Sequence, residues 1–162
     1  MSTPDASTYP TTPAQQGILF QSRHGDRTGL YHVQNVYDVA GEFDLDAFRN
    51  SWAQVVQRHA MLRTAFRTTA GEEPRHVVSA SAAVPLEYVD LRTLDDEHRT
   101  RALAARLKLD HERRFTLSKG PLWRLHVARL DDERWQILWS LHYLLMDGRS
   151  QAIVLREVEQ TR

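Results

Sequence analysis

The sequence contains no cysteine. That removes a disulfide framework, a thiolate zinc site and a cysteine nucleophile in one step. It has no excess of either charge, because 21 Lys and Arg balance 21 Asp and Glu. A neutral chain lacks the basic surface of a nucleic-acid module or of a polybasic membrane binder, so neither kind of partner is expected. No apolar run approaches the ~18 residues that a membrane span needs. The opening MSTPDASTYPTTPAQQ has neither a basic n-region nor an apolar h-region, so no signal peptide is expected and a cytoplasmic location is the default. Lysine is scarce too, with only Lys108 and Lys119, which points to a GC-rich genome and not to a function. The remainder is ordinary: 162 residues, 41% hydrophobic and 26% charged, enough for one domain with a real core.

Residues 1–11 are rich in Ser, Thr and Pro and read as a flexible lead-in; residues 12–162 read as one domain. Thr12 and Pro13 open a short helix whose buried part is Ile18, Leu19 and Phe20. Tyr31, Val33, Tyr37 and Val39 alternate as in a strand. After Asp44, an N-cap, the residues Leu45, Phe48, Trp52, Val55, Val56 and His59 follow a helical period. Two strands, 63–68 and 75–79, flank the turn Gly71-Glu72-Glu73-Pro74, and 86–89 is a short strand. Residues 95–114 form a second long helix with Leu103 and Leu107 on its apolar side. The stretch 122–143 alternates twice around Asp131-Asp132-Glu133, a hairpin whose Trp123, Trp135 and Trp139 share one face and read as core. A last helix begins near Ser150. The pattern predicts an α+β fold, with helices packed on one face of a mixed or antiparallel sheet and the 122–143 hairpin at its centre.

The chemistry-bearing stretch is His142 to Ser150, where a strand passes through a tight apolar loop and Asp147-Gly148 into a helix. Polar groups at such a junction often face a pocket. His142 has the pKa range of a general base; it equally suits a hydrogen-bonded core histidine, with Asp147 as a helix cap. In the stretch Arg58-His59-Ala60-Met61-Leu62-Arg63-Thr64-Ala65-Phe66, an Arg63 buried in a strand would need a carboxylate, for which Asp147 is a candidate; an Arg63 on the surface would need none. The eight histidines show no ligand spacing: His98 and His111 share no helix face, and His24, His32, His76 and His126 stand alone. No metal site is expected, and neither phosphate-loop motifs nor a G-x-S-x-G elbow occur.

Three segments, in order, resemble the N-terminal half of a nonribosomal peptide synthetase condensation domain. Residues 12–20, TPAQQGILF, resemble its opening T/S-P-x-Q-x-x-x-L/W-F; residues 58–66, RHAMLRTAF, resemble R-H-x-x-L-R-T-x-F; residues 142–148, HYLLMDG, stand where H-H-x-x-x-D-G belongs. The resemblance covers nearly the whole chain. It implies one chloramphenicol-acetyltransferase-like lobe of a two-lobed pseudodimer. Carrier proteins would bring acyl donor and amine acceptor on phosphopantetheine arms through a tunnel between the lobes, with no covalently bound cofactor. The resemblance also implies that the second histidine promotes amide formation, that the first, here His142, is mainly structural, and that Asp147 pairs with Arg63. Arg58, His59 and Gly148 complete the structural motif.

The position of the second histidine is Tyr143. A phenol, with a reference pKa near 10, is no base at neutral pH without a large shift, although it can donate a hydrogen bond. The chain also ends within the helix that follows the signature, so a C-terminal lobe is read as absent and the starting Met as a natural N-terminus. The expectation is therefore a condensation-like half domain that is inactive by itself. It would bind a synthetase module, a peptidyl carrier protein or a partner lobe, or self-associate through an uncovered interlobe face. The alternative is a peptide-bond-forming acyltransferase, or a fragment of one, whose tunnel another chain completes.

Overall fold

Alternation of apolar and polar residues on either side of Asp131–Glu133 folds residues 123–142 into the central hairpin. The computed structural model describes residues 7–24 and 29–161, the side chains of 23 and 24 excepted. Strand β1 (Ser7–Pro10) precedes helix α1 (Pro13–His24), strand β2 (His32–Ala40) and helix α2 (Leu45–Arg58). A 3₁₀ turn, Ala60–Arg63, leads into β3 (Thr64–Arg67), β4 (Arg75–Val78) and β5 (Leu86–Asp90). Helix α3 (Asp96–Glu112), strands β6 (Trp123–Arg129) and β7 (Arg134–His142), and helix α4 (Gly148–Thr161) complete the order.

The main sheet runs β2-β7-β6-β5, antiparallel except for the parallel pair β5/β6. The expected α+β class, mixed sheet and central hairpin are all found. Strands β3 and β4 do not join that sheet. They pair with β1 in a separate antiparallel sheet of order β1-β4-β3. Part of the expected lead-in is therefore structured: Ser7–Pro10 is a strand, and Thr11 is buried with its hydroxyl on the Pro74 carbonyl. Residues 1–6 lie outside the described residues.

Local chemistry explains the helix starts. Asp44 accepts from the backbone N–H groups of Asp46 and Ala47, both at 2.9 Å, and so caps α2 as expected. Thr12 and Gln15 cap α1 reciprocally: Gln15 N–H reaches Thr12 Oγ1 at 3.3 Å, and Thr12 N–H reaches Gln15 Oε1 at 3.0 Å.

The hairpin's apolar face carries the core. Trp123, Leu125 and Val127 stand opposite Leu141, Trp139 and Ile137, and all six are buried. Trp52 of α2 stacks on Trp123 at 4.9 Å between ring centroids and meets Trp139 edge-on at 5.2 Å. The tryptophans are thus core, and α4 packs beside α2 through Val154 and Val158.

The expected packing of both long helices on one side is not found; α3 lies on the opposite face. It is the crossover between the parallel strands β5 and β6, and it meets the alternate residues Arg124, His126 and Ser140. Its sole buried residue is Asp110. Leu103 and Leu107 are only partly covered. Polar contacts, more than an apolar stripe, hold this helix down.

Candidate functional site

Strand β7 ends at His142, and the chain turns at once, with Leu145 N–H on the His142 carbonyl at 3.0 Å. Leu144, Leu145 and Met146 are buried and anchor the loop. Asp147 then caps α4: its carboxylate accepts from Ser150 N–H at 2.8 Å. That bond, reinforced by Ser150's side chain, holds the Asp147 carboxyl below its usual range. Gly148 is the exposed first residue of the helix, and a Cβ there would meet nothing within 4 Å.

His142 is buried, and its Nδ1 accepts from Leu144 N–H at 3.2 Å. Burial, then the charge of His32 beside it, pushes the imidazole pKa down to about 4. It is a neutral core histidine that shapes the loop. The sign of its pH effect follows. A histidine whose folded pKa is depressed lends stability that is complete above the unfolded value of 6.5 and is lost as pH falls toward about 4. We expect roughly 3 kcal/mol to disappear across that window, and His142→Gln to flatten that part of the curve of unfolding free energy against pH. An unchanged slope in the variant would refute this account.

Tyr143 turns the other way and is 41% exposed. Its N–H donates to the Tyr31 carbonyl at 2.8 Å, and its ring stacks against that of Tyr31, with centroids 6.3 Å apart and planes 25° apart.

The second motif supports this loop differently from expectation. Arg63 does not pair with Asp147. It lies in the 3₁₀ turn, not in a strand, and its guanidinium is occupied by carbonyls. Nε donates to Val56 O at 3.0 Å and Nη2 to Gln57 O at 3.3 Å, while Nη1 reaches Ser79 O and, at 3.2 Å, Ala80 O. Val56 and Gln57 belong to the last turn of α2, where carbonyls lack helical partners and a cation is favoured. Asp147 is exposed and committed to its cap. Arg58 and His59 bind a different carboxylate, Glu157 of α4, at 2.8 and 2.9 Å. His59, then Arg58, holds Glu157 below the usual carboxylate range. The motif thus joins the end of α2 to α4. The first motif also reaches the loop, through a long 3.4 Å contact from Gln15 Nε2 to Leu144 O, while His76 Nε2 sits 2.8 Å from Gln15 Oε1. The first motif therefore touches the loop itself, and the second is bonded to α4, the helix that follows it.

Sequence reasoning missed the strongest electrostatic feature, centred on Asp110. Its carboxylate accepts from Arg124 Nε, from Ser140 Oγ, from Gln34 Nε2 at 2.7 Å and from His126 Nε2 at 3.1 Å, with His32 Nε2 at 3.2 Å. Burial alone would raise its pKa. The bonds from His126, His32, Ser140 and Arg124 outweigh that and hold it far below the usual range. A signal was there to read: Arg124 and His126 occupy alternate positions of an otherwise apolar strand, and Asp110 falls three residues after Leu107 on the predicted inner stripe of α3. His32 and His126, expected to stand alone, are both part of this cluster; the side chain of His24 lies outside the described residues. Among the described residues no group of three or more His, Cys, Asp or Glu could hold a metal ion, and no helix is long and apolar enough to cross a membrane.

Comparison with known proteins agrees with this geometry. Residues 5–161 match the condensation domain family. The chain is 35% identical over 153 residues to one of the mycosubtilin synthase proteins of Bacillus subtilis, covering 94% of this chain and 6% of that protein. It is 37% identical over 149 residues to one of the linear gramicidin synthase proteins of Brevibacillus parabrevis, covering 92% and 2%. Among solved structures, the starter condensation domain of rhizomide synthetase, in a variant complexed with C8-CoA, superposes with a TM-score of 0.86 at 20% identity, covering 96% of this chain and 35% of that one. The cyclization-docking bidomain of EpoB from Sorangium cellulosum superposes with a TM-score of 0.81 at 24% identity, covering 94% and 30%. The chain therefore spans a few per cent of the length of these curated relatives and about a third of the solved neighbours. Motifs, fold and family match together make this chain a member of the condensation domain family of nonribosomal peptide synthetases.

Proposed function

We propose that this lobe does not catalyse condensation and acts by binding. Its ligands are a peptidyl carrier protein with its phosphopantetheine arm, a synthetase module or a partner lobe, and its setting is the cytoplasm. The observation that carries the reading is Tyr143. By resemblance it stands where the family has its second histidine. It is accessible beside the loop, while the supporting groups Asp147, Gly148, Arg58, His59 and Arg63 remain. A phenol lacks the imidazole nitrogen that serves as a base near neutral pH. The neighbouring structure with C8-CoA supports a thiol-linked acyl ligand, and an exposed apolar side chain such as Ile153 leaves room for a covering partner or a second copy.

The intact linkage of all three motifs favours a second reading: an amide-forming acyltransferase whose tunnel is completed by further chain, with Tyr143 as hydrogen-bond donor. One assay separates the two. The lobe is joined to a C-terminal condensation lobe and given a carrier-bound acyl donor and a carrier-bound amine. We expect saturable binding of the acyl carrier, and no amide product above a control without the domain. Turnover by the wild-type sequence that Tyr143→Phe abolishes would establish the second reading and end the first.

A further inference from the structure

We infer that Tyr31 is a positioning residue that fixes the side chain at position 143. The inference rests on the reading that position 143 is where the family's reacting group stands, and it adds a residue that none of the three motifs contains.

Tyr31 is the only non-glycine among the described residues with positive φ, at 65°. This left-handed region is uncommon for any residue with a Cβ and rarer for a bulky one. Such a conformation persists where the surroundings over-determine it, and it clusters at ligand sites. Here the surroundings are specific. The turn is closed by His32 N–H on Gly29 O at 3.0 Å. The Tyr31 carbonyl accepts from Tyr143 N–H at 2.8 Å. Its phenol bonds to Gln21 of α1. Its ring lies 6.3 Å from that of Tyr143 at 25°, and 6.2 Å from that of His142 at 48°.

The alternation of Tyr31 with Val33 in the sequence predicts a strand residue. An extended Tyr31 would stand on a sheet face. The left-handed backbone instead ends the strand at His32 and turns the ring onto the signature loop. One residue thereby ties α1, β2 and the loop together. The main-chain bond fixes where residue 143 begins, and the stacked ring fixes which way its side chain leaves. That second function matters because Tyr143 is 41% exposed and lies outside the buried core that would otherwise select a rotamer. Orientation of a reacting group is among the larger contributions to rate, so the same clamp would orient an imidazole at this position.

The test uses three variants. Tyr31→Phe keeps the ring and removes the bond to Gln21. Tyr31→Asn keeps a left-handed backbone, which asparagine tolerates, and removes the ring. Tyr31→Gly does the same by a second route, should the asparagine variant not fold. In protein labelled at tyrosine, the Tyr143 resonances are assigned by their loss in Tyr143→Phe. Their Hα–Hβ couplings should report a single rotamer in wild type and in Tyr31→Phe, and averaged rotamers in Tyr31→Asn or Tyr31→Gly. Unchanged couplings in a folded ringless variant overturn the inference. In a complete two-lobed domain carrying Tyr143→His, adding Tyr31→Asn should lower kcat about tenfold at constant KM, and adding Tyr31→Phe should not. Equal kcat with and without the ring also overturns it. If Tyr143→His is itself inert, the premise that position 143 carries the reacting group fails, and the couplings still decide whether Tyr31 positions residue 143.

Discussion

Asp110→Ala is expected to cost about 3–5 kcal/mol of folding free energy, the range for breaking a buried ion pair from one side. The side chain is 1% exposed and that of Arg124 is 9% exposed. Removing the carboxylate leaves the guanidinium buried without its anion and also strips an acceptor from Ser140, Gln34 and His126. It further releases α3, whose other inward residues are only partly buried. The measurement is denaturant unfolding at pH 7, with α3 followed by amide exchange. Replacing Asp110 and Arg124 together with apolar residues of similar volume should cost less than Asp110→Ala alone, because no orphaned charge remains. A loss under about 1 kcal/mol for Asp110→Ala would show that solvent compensates the cluster. The depressed pKa adds a pH signature. This stability is present above the unfolded carboxylate pKa near 4 and is lost as pH falls below it. Acid unfolding of the wild type should therefore be steeper than that of Asp110→Asn.

Tyr143→His, in the lobe joined to a C-terminal condensation lobe, is expected to raise amide formation about 10²–10⁴-fold, the usual contribution of a placed acid–base group. The expectation stands on retention of everything around the position. The loop turn, the Asp147 cap, the Arg58/His59–Glu157 link and the Arg63 anchor on α2 are all formed. The same substitution in the isolated lobe should give nothing measurable, since a single lobe supplies neither the second wall nor both substrates' positioning. Product formation by carrier-bound substrates, followed by mass spectrometry, reads both cases. If the completed Tyr143→His domain stays silent, the fault lies beyond this one side chain, and the lobe is not an enzyme half with a single lesion.

How far the sequence alone reached differs from element to element. Asp44, the Trp52 stripe and the alternating 122–143 hairpin are local patterns: a cap needs its own next residues, and an amphipathic strand or helix shows its buried face by period. Helix α2, the central hairpin and the α+β class were legible for that reason. So were the three motif segments and the substitution at Tyr143, since they are strings of adjacent residues. The tertiary structure decided what depends on partners far along the chain. Arg63 could be read as needing an acceptor, but whether that acceptor was Asp147 or the orphan carbonyls ending α2 depended on where the 3₁₀ turn placed the guanidinium. The face taken by α3 followed from the parallel β5/β6 crossover and from Asp110 meeting Arg124, which no periodicity encodes because the helix carries almost no apolar stripe. Tyr31 reads as one more member of an alternating strand. Only the packed loop at Tyr143 shows that its backbone turns left-handed, because the contacts to His142 and Tyr143 that help to hold it lie more than a hundred residues away.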